Sequence, residues 1–148
     1  MESYGKYISA IYRHQQILIS AELAPLRIGS GQYIFLMAIA GREGTSQKAL
    51  SEDLLIDKTT TAKAIAKLEA EGYVRRETDP SDNRYQLLYL TETGRDAVPK
   101  VQEALNRIRG ISAAGIGEEE YAAALGTLRK VLRNLSEEVR HGERRFEG

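Results

Sequence analysis

Threonine hydroxyls and lysine ammonium groups are concentrated in one short stretch of the chain, residues 57–72. At about 100° per residue, Thr59, Thr60, Lys63 and Lys67 fall on one side of a helix. Short hydroxyls beside ammonium groups suit the base edges and phosphates of DNA. Three successive β-branched residues, Thr59 to Thr61, are a poor choice for a helix interior. Their presence therefore suggests that the hydroxyl groups have a role at a solvated surface. Taken alone, the stretch is better explained as an ordinary amphipathic surface helix, and a DNA-contacting face is the alternative that its neighbours have to support.

The helix that carries these side chains has a start signal and a stop signal. Asp57 can accept hydrogen bonds from the first free backbone amides, and Gly72 can adopt the left-handed conformation that ends a helix. The opposite side is expected to pack, with Ile65 and Leu68 as anchors. The packing side predicted from the periodicity consists of Ala62, Ile65, Ala66, Leu68 and Glu69.

A second short helix precedes this one. Thr45 or Ser46 can cap it, it runs to Leu54, and residues 55–56 leave room only for a tight turn. Two short helices joined by such a turn, the second with a polar outer face, form the helix-turn-helix pattern.

After the stop glycine the sequence alternates every two residues. This period predicts strands over residues 73–78 and 85–90. The residues between them are rich in turn formers, so we expect a β-hairpin with an exposed tip. A hairpin directly after the second short helix predicts a winged helix.

Long helices are predicted on both sides of this segment, over residues 3–23, from Thr91 onward and from 118 to about 141. A helix over residues 31–40, apolar nearly all round, can be capped by Ser30. The outer helices carry apolar stripes that a winged helix alone cannot cover. We therefore expect a mainly α (α+β) protein, with residues 30–94 as the winged helix-turn-helix DNA-binding domain. Residues 1–29 and 95–148 are expected to be dimerisation helices. A three-helix layer within one chain is the alternative to a homodimer.

Composition narrows the possible classes of protein. The chain has 148 residues and no cysteine, which excludes disulfides and thiol chemistry. No segment approaches the roughly 20 apolar residues of a membrane span, and no signal peptide is seen, so we expect a cytoplasmic protein without a membrane partner. The 21 Lys and Arg residues are balanced by 21 Asp and Glu residues, so only local placement of charge can attract DNA.

Enzymatic and metal sites are not expected. The glycines at 41 and 44 lack the Lys-Ser/Thr of a phosphate loop, and Gly115-Ile116-Gly117 does not complete a dinucleotide fingerprint. His14 and His141 are far apart in the sequence, which suggests neither a nucleophile–base pair nor a metal site. We therefore expect no catalytic activity, no cofactor and no metal.

Five short runs follow one another between residues 47 and 94, and the order of the predicted elements extends the pattern over essentially the whole chain. They are Gln47-Lys48-Ala49-Leu50, Asp57-Lys58-Thr59-Thr60-Thr61, Leu68-Glu69-Ala70-Glu71-Gly72-Tyr73-Val74-Arg75-Arg76, Asp82-Asn83-Arg84 and Leu90-Thr91-Glu92-Thr93-Gly94. In this order the chain resembles the MarR family of winged helix-turn-helix transcription regulators. The Asp-x-Arg of the wing, followed by Leu-Thr-x-x-Gly, is the most specific part of the resemblance.

The resemblance implies a homodimeric DNA-binding transcription regulator, which we expect to be a repressor, that binds a pseudo-palindromic site in double-stranded DNA. Arg84 matches the wing-tip arginine that enters the minor groove, and Asp82 matches the acidic residue that braces the wing. A simple salt bridge within the turn is the alternative for this pair. The remaining residues expected at the DNA interface are Ser46, Lys58, Thr59, Thr60, Thr61, Lys63 and Lys67.

The resemblance also implies an effector, because many members of the family release DNA when a small aromatic or phenolic anion binds. Arg13, His14, Tyr33 and Met37 are the candidates to line such a site. Ordinary core packing of Tyr33 and Met37 is the stronger alternative. A second function also remains open: the balanced charge of the chain is compatible with a winged helix that binds an acidic protein instead of specific DNA.

Overall fold

The computed structural model describes residues 2–146 and is mainly helical. Its helices are α1 (Tyr4–Leu23), a short 3-10 helix (Ala24–Leu26), α2 (Tyr33–Gly41), α3 (Gln47–Leu54), α4 (Lys58–Ala70), α5 (Glu92–Ser112) and α6 (Glu118–Phe146). Its strands are β1 (Thr45–Ser46), β2 (Val74–Thr78) and β3 (Gln86–Leu90). Helix-turn-helix and hairpin follow each other as predicted, so the mainly α winged helix-turn-helix fold is confirmed.

Three strands form one antiparallel sheet in the order β1-β3-β2. The predicted hairpin pairs Val74 with Leu90 and Thr78 with Gln86. The sequence did not predict β1, which pairs Thr45 with Leu88 at the other edge of β3. The wing is therefore joined by backbone hydrogen bonds to the segment that begins α3.

The described residues up to Ile108 form one compact unit, and those from Arg109 onward form a second. The core of the first unit is formed by buried side chains of the winged helix together with buried side chains of α1 and α5. Its largest fully buried side chains are Phe35, Ile19, Leu23, Ile28, Leu36, Ile39, Ile65, Leu68, Leu88, Val101 and Thr61. This unit is thus longer than the winged helix of residues 30–94, because α1 and α5 supply part of its core.

Two predicted helix boundaries are wrong. Ser30 does not cap α2, which begins at Tyr33 after Gln32; the Gln32 side-chain oxygen instead accepts from the Gly29 amide at 2.9 Å. This contact closes a turn that delays the start of the helix. Helix α6 continues past the predicted end at residue 141 as far as Phe146.

The Leu-Thr-x-x-Gly run forms a tight corner between α4, the wing and α5. The Thr91 hydroxyl accepts from the Gly94 amide at 3.0 Å and donates to the Gly72 carbonyl. A Cβ on Gly94 would lie 2.2 Å from the Tyr73 carbonyl oxygen, so only glycine fits without movement. The hydroxyl of Tyr73 in turn donates to the carbonyl of Leu26. The glycine of this run is therefore required by the close contact between the backbones of Gly94 and Tyr73.

Within residues 2–146, none of the helices has both the length and the apolar composition required to cross a membrane.

Candidate nucleic-acid interface

Helix α4 begins and ends as its sequence predicts. The Asp57 carboxylate accepts from the Thr60 amide at 2.8 Å and from the Thr60 hydroxyl at 2.7 Å. These two bonds hold the pKa of Asp57 below its ordinary value. At the other end, the Gly72 amide donates to the Glu69 carbonyl and the Tyr73 amide to the Leu68 carbonyl, with Gly72 at φ 83°. This pair of bonds is the Schellman motif, which fixes the length of the helix.

The predicted polar face of α4 is exposed. Its side chains in solvent are Lys58, Thr59, Thr60, Lys63 and Lys67. The Thr60 hydroxyl donates its proton to the Asp57 cap, so it can offer only acceptor lone pairs to a ligand. The ammonium of Lys67 lies beside the loop before α2, 3.8 Å from the place that a Cβ on Gly29 would occupy.

The assignment of Thr61 to the DNA interface is wrong. Thr61 is 0% exposed, and its hydroxyl donates to the Asp57 carbonyl at 2.9 Å. A threonine can be buried in a helix when its hydroxyl bonds to the carbonyl four residues earlier, so this side chain belongs to the core.

The packing face of α4 is turned relative to the predicted one. Its buried residues are Thr61, Ala64, Ile65 and Leu68. Ile65 and Leu68 are anchors as predicted, whereas Ala66 and Glu69 are exposed. Small alanines give a weak periodic signal, so the sequence left the rotation of the helix poorly defined.

Ser46 lies where α3 begins and is half-buried. Its hydroxyl accepts from the Ala49 amide at 3.1 Å, which makes it the N-cap of α3 as the sequence predicts. Its backbone also pairs with Leu87 of the wing. A contact of Ser46 with DNA stays a prediction.

The tip of the wing carries an ion pair with two-point geometry. Arg84 donates from Nε to one Asp82 oxygen at 2.9 Å and from Nη2 to the other at 2.6 Å. These bonds lower the pKa of Asp82 and raise that of Arg84. The Arg84 side chain is 77% exposed, whereas that of Asp82 is 28% exposed. The carboxylate therefore holds the guanidinium while most of the Arg84 side chain stays exposed to solvent.

The loop around this pair has its own internal bonds. The Asp79 carboxylate accepts from the amide of Ser81 at 2.9 Å and from its hydroxyl at 2.7 Å. The Asp79 amide donates to the Tyr85 carbonyl at 2.9 Å, which closes the turn. These bonds define the position from which Arg84 projects.

Arg76 is a positioning residue that the sequence did not predict. From β2, its Nε donates to Glu69 of α4 at 3.2 Å and its Nη1 donates to Gln47 of α3 at 2.9 Å. Its side chain is 25% exposed. One guanidinium therefore joins the wing to both helices of the helix-turn-helix. The available signal was a charged residue on the same strand face as buried Val74.

The candidate effector residues lie in two environments. Arg13 and His14 are exposed on α1, where the His14 Nδ1 is 2.7 Å from the Ala10 carbonyl. Tyr33 and Met37 are partly buried against the core. Burial, and secondarily the neighbouring Tyr12, raise the pKa of the Tyr33 hydroxyl. Among the described residues, no three His, Asp or Glu side chains form a group that could hold a metal ion.

Comparisons with known proteins agree with this geometry. A model of the MarR family matches residues 28–84. The crystal structure of a MarR transcriptional regulator from Methanosarcina mazei Go1 is 37% identical, with a TM-score of 0.82 over 90% of this chain and 96% of that one. The HTH-type transcriptional regulator YybA of Bacillus subtilis (strain 168) is 28% identical over 98% of this chain and 99% of its own length.

A further solved structure shows a related protein with nucleic acid. It is a MarR family transcriptional regulator from Listeria monocytogenes complexed with a 26mer DNA, 27% identical, with a TM-score of 0.88 over 93% of this chain and 92% of that chain. The fold of this chain is thus similar to the folds of these relatives along nearly their full length. This chain belongs to the MarR family of transcription regulators.

Proposed function

We propose that this protein binds a specific site in double-stranded DNA as a homodimer and represses the genes next to that site. The observation that carries the proposal is the polar face of α4, which presents Thr59, Thr60 and Lys63 to solvent. The wing adds Arg84, which is paired with Asp82 but remains exposed. Hydroxyl and ammonium groups suit base edges, and a guanidinium suits a narrow minor groove. The related Listeria protein in complex with DNA supports the proposal.

Different side chains take different parts in this proposal. Helix α4 is the recognition helix, in which Thr59, Thr60 and Lys63 read bases in the major groove. Lys58 and Lys67 of α4, and Ser46 at the start of α3, contact phosphates. Arg84 enters the minor groove, and Asp82 braces it without touching DNA. Thr61 has no part in the interface because its side chain is buried.

The homodimer is proposed because two helices leave apolar side chains in water. On α1 these are Tyr4, Tyr7, Ile8, Ile11, Tyr12, Ile17 and Leu18. On α6 they are Leu125, Leu128, Leu132, Leu135 and Val139. A second copy would cover such patches, and a two-fold dimer would place two recognition helices about 34 Å apart. The proposed site is therefore pseudo-palindromic.

Selection of bound sequences from a random duplex pool tests DNA recognition directly. We expect one pseudo-palindromic motif whose half-sites are about 10 base pairs apart. Affinity should fall linearly with salt on a logarithmic plot, with a slope near 0.9 per phosphate contact. If random duplex binds as tightly as the protein's own promoter DNA, specific recognition is excluded and a winged helix that binds an acidic protein becomes the better hypothesis.

A reporter gene placed behind the selected site tests the direction of regulation. Repression predicts lower expression with the protein present, and Arg84→Ala should restore expression. Higher expression with the wild-type protein would overturn the repressor assignment while leaving DNA binding intact.

We also propose that a small aromatic anion releases the DNA by binding near Tyr33 and Met37, with Arg13 or His14 as its polar partner. The proposal is supported by the partly buried Tyr33 hydroxyl next to Tyr12 and by the exposed Arg13 and His14 on α1. A panel of phenolic carboxylates should weaken DNA binding of the wild type. Arg13→Ala should remove that response, and an unchanged response would exclude Arg13.

A further inference from the structure

The hydroxyl of Thr60 has its proton engaged by the cap of α4. Oδ1 of Asp57 accepts from the Thr60 amide at 2.8 Å, and Oδ2 accepts from the Thr60 hydroxyl at 2.7 Å. The first bond, and secondarily the second, hold the pKa of Asp57 below its ordinary value, so the carboxylate is ionised at neutral pH. An ionised carboxylate can only accept, and the proton in the second bond therefore belongs to Thr60.

This bond is difficult to exchange for a bond to DNA. A hydrogen bond to an ionised acceptor is roughly twice as strong as one between neutral groups, and the acceptor atoms of the bases are neutral. The carboxylate cannot turn away from the hydroxyl without moving the oxygen that caps α4, because both of its oxygens bind the same residue. We therefore expect the bond to persist when α4 lies against a base.

The exposed oxygen of Thr60 is consequently an acceptor that has no proton left to donate. A hydroxyl carries one proton and two lone pairs, and donation to a charged group makes its oxygen a better acceptor. The carboxylate behind it also repels electron-rich atoms such as guanine O6 and N7 or thymine O4. Thr60 is thus the opposite of Lys63, three residues further along α4, whose ammonium can only donate.

We propose that Thr60 reads the exocyclic amine of one base in the major groove, adenine N6 or cytosine N4, and that Asp57 enforces this choice from behind. The inference rests on the proposed function, in which α4 is the recognition helix. These two amines are the hydrogen-bond donors that bases present in the major groove, where the other polar atoms are acceptors. Asp57 is a positioning residue, because it acts through Thr60 and does not itself contact the base.

The two neighbouring threonines are under different constraints. Thr61 is buried, and its hydroxyl donates to the Asp57 carbonyl at 2.9 Å. Thr59 is exposed, and the hydrogen bonds within residues 2–146 include none from its hydroxyl to the Asp57 carboxylate. The hydroxyl of Thr59 can therefore rotate to suit either a donor or an acceptor. This difference makes Thr59 the matched control for Thr60.

Base analogues test the inference in the full-length protein. Thr60→Val removes the hydroxyl but keeps the shape of the side chain, so the base pair whose preference disappears in this variant is the one that Thr60 contacts. At that pair, the adenine or cytosine is replaced by the same base without its exocyclic amine. Wild-type affinity should fall by about three- to tenfold, whereas Thr60→Val should bind both duplexes equally. Thr59→Val should retain the wild-type loss at this pair.

Asp57→Asn tests the role of the carboxylate. The amide oxygen of asparagine can still accept from the Thr60 amide, while its NH₂ group can donate to the Thr60 oxygen and so release the hydroxyl proton. This variant should tolerate removal of the amine with a loss below about twofold, because Thr60 can then donate to a base. Two duplexes are compared on one protein, so any change in its stability cancels. A loss as large as that of the wild type would exclude the role of Asp57.

The outcomes separate this inference from the proposed function. A wild-type protein without any sequence preference would exclude specific DNA recognition itself. Selective binding that is indifferent to the amine, and is weakened instead by 7-deazaguanine at the same pair, would keep DNA recognition and overturn the inference. A Thr60→Val variant that keeps every base preference of the wild type would overturn it as well.

Discussion

Helices α4 and α6 are both amphipathic, yet the chain covers only one of them. Helix α4 buries four side chains and exposes hydroxyl and ammonium groups. Helix α6 is more than twice as long, with 29 residues against 13, and exposes a leucine seam. The surface of α4 suits a charged polymer, whereas that of α6 suits another apolar surface. What a helix leaves uncovered thus indicates the chemistry of its partner.

The largest effect is expected where α4 meets the core. Ile65→Ala should lower the free energy of unfolding by about 2–5 kcal/mol, because Ile65 is fully buried. Leu132→Ala in α6 should act on association instead, so its loss in Tm should depend on protein concentration. Thermal unfolding over a hundredfold range of concentration measures both. A concentration-independent loss for Leu132→Ala would break the contrast between the helices.

The corner that follows α4 should be nearly as sensitive. Gly94→Ala places a Cβ against the Tyr73 carbonyl and should cost about 1–3 kcal/mol of stability. Gly110→Ala is the matched control on the same helix, because a Cβ there meets nothing within 4 Å. The control should be neutral or stabilising by up to about 1 kcal/mol. Equal losses in the two variants would show that the close backbone contact is unimportant.

The exposed face of α4 should divide into base and phosphate contacts. Lys63→Ala should cost about 1–3 kcal/mol on the selected site and little on random duplex. Lys67→Ala should weaken both and lower the salt slope by about 0.9. Lys130→Ala removes an equal charge from α6 and should change neither. If Lys63→Ala loses as much on random DNA as on the site, Lys63 does not read a base.

A smaller loss is expected from Arg76, which joins the wing to both helices. Arg76→Met keeps the apolar stem but removes the bonds to Glu69 and Gln47, so stability should fall by about 1 kcal/mol. Arg75→Met is the control from the same strand, where the guanidinium lies 4.8 Å from the centre of the Tyr89 ring. Urea unfolding compares the two. A greater loss for Arg75→Met would remove the positioning role of Arg76.

The smallest effect concerns the charge of the α4 cap. Because the pKa of Asp57 is lowered in the folded protein, its carboxylate stabilises the fold above the ordinary Asp pKa of about 3.9. That stabilisation is lost as the pH falls through the folded pKa. Asp57→Asn should therefore lower Tm slightly at pH 7, and this difference should shrink as the pH falls below about 3.9, with Asp96→Asn as the control. A difference that stays constant as the pH falls would assign the effect to something other than charge.

Local chemistry made α4 predictable from the sequence. The cap at Asp57, the stop at Gly72 and the turn formers of the wing each act within a few residues, and all three have the predicted roles. Strand β1 could not be predicted, because a strand of two residues has no periodicity. Thr45 belongs to a strand only because it pairs with Leu88, which is distant in the sequence.

The site was less predictable than the fold for a related reason. Thr61 follows two exposed threonines and looks like them in sequence, yet the rotation of the helix places it in the core. Arg76 has its partners seven and 29 residues away, at Glu69 and Gln47. Neither relation is encoded by neighbouring residues, because both arise from the packing of separate elements.

The hydrogen bond from Tyr73 to Leu26 has a mechanical consequence. Tyr73 directly follows the glycine that ends α4, and Leu26 ends the 3-10 helix that continues from α1. The two segments are 47 residues apart in sequence but joined by one short link. A ligand that displaces the end of α1 must either break that link or pull the recognition helix along with it. The Tyr73 hydroxyl thus connects the N-terminal helix to the end of the helix that is proposed to read DNA.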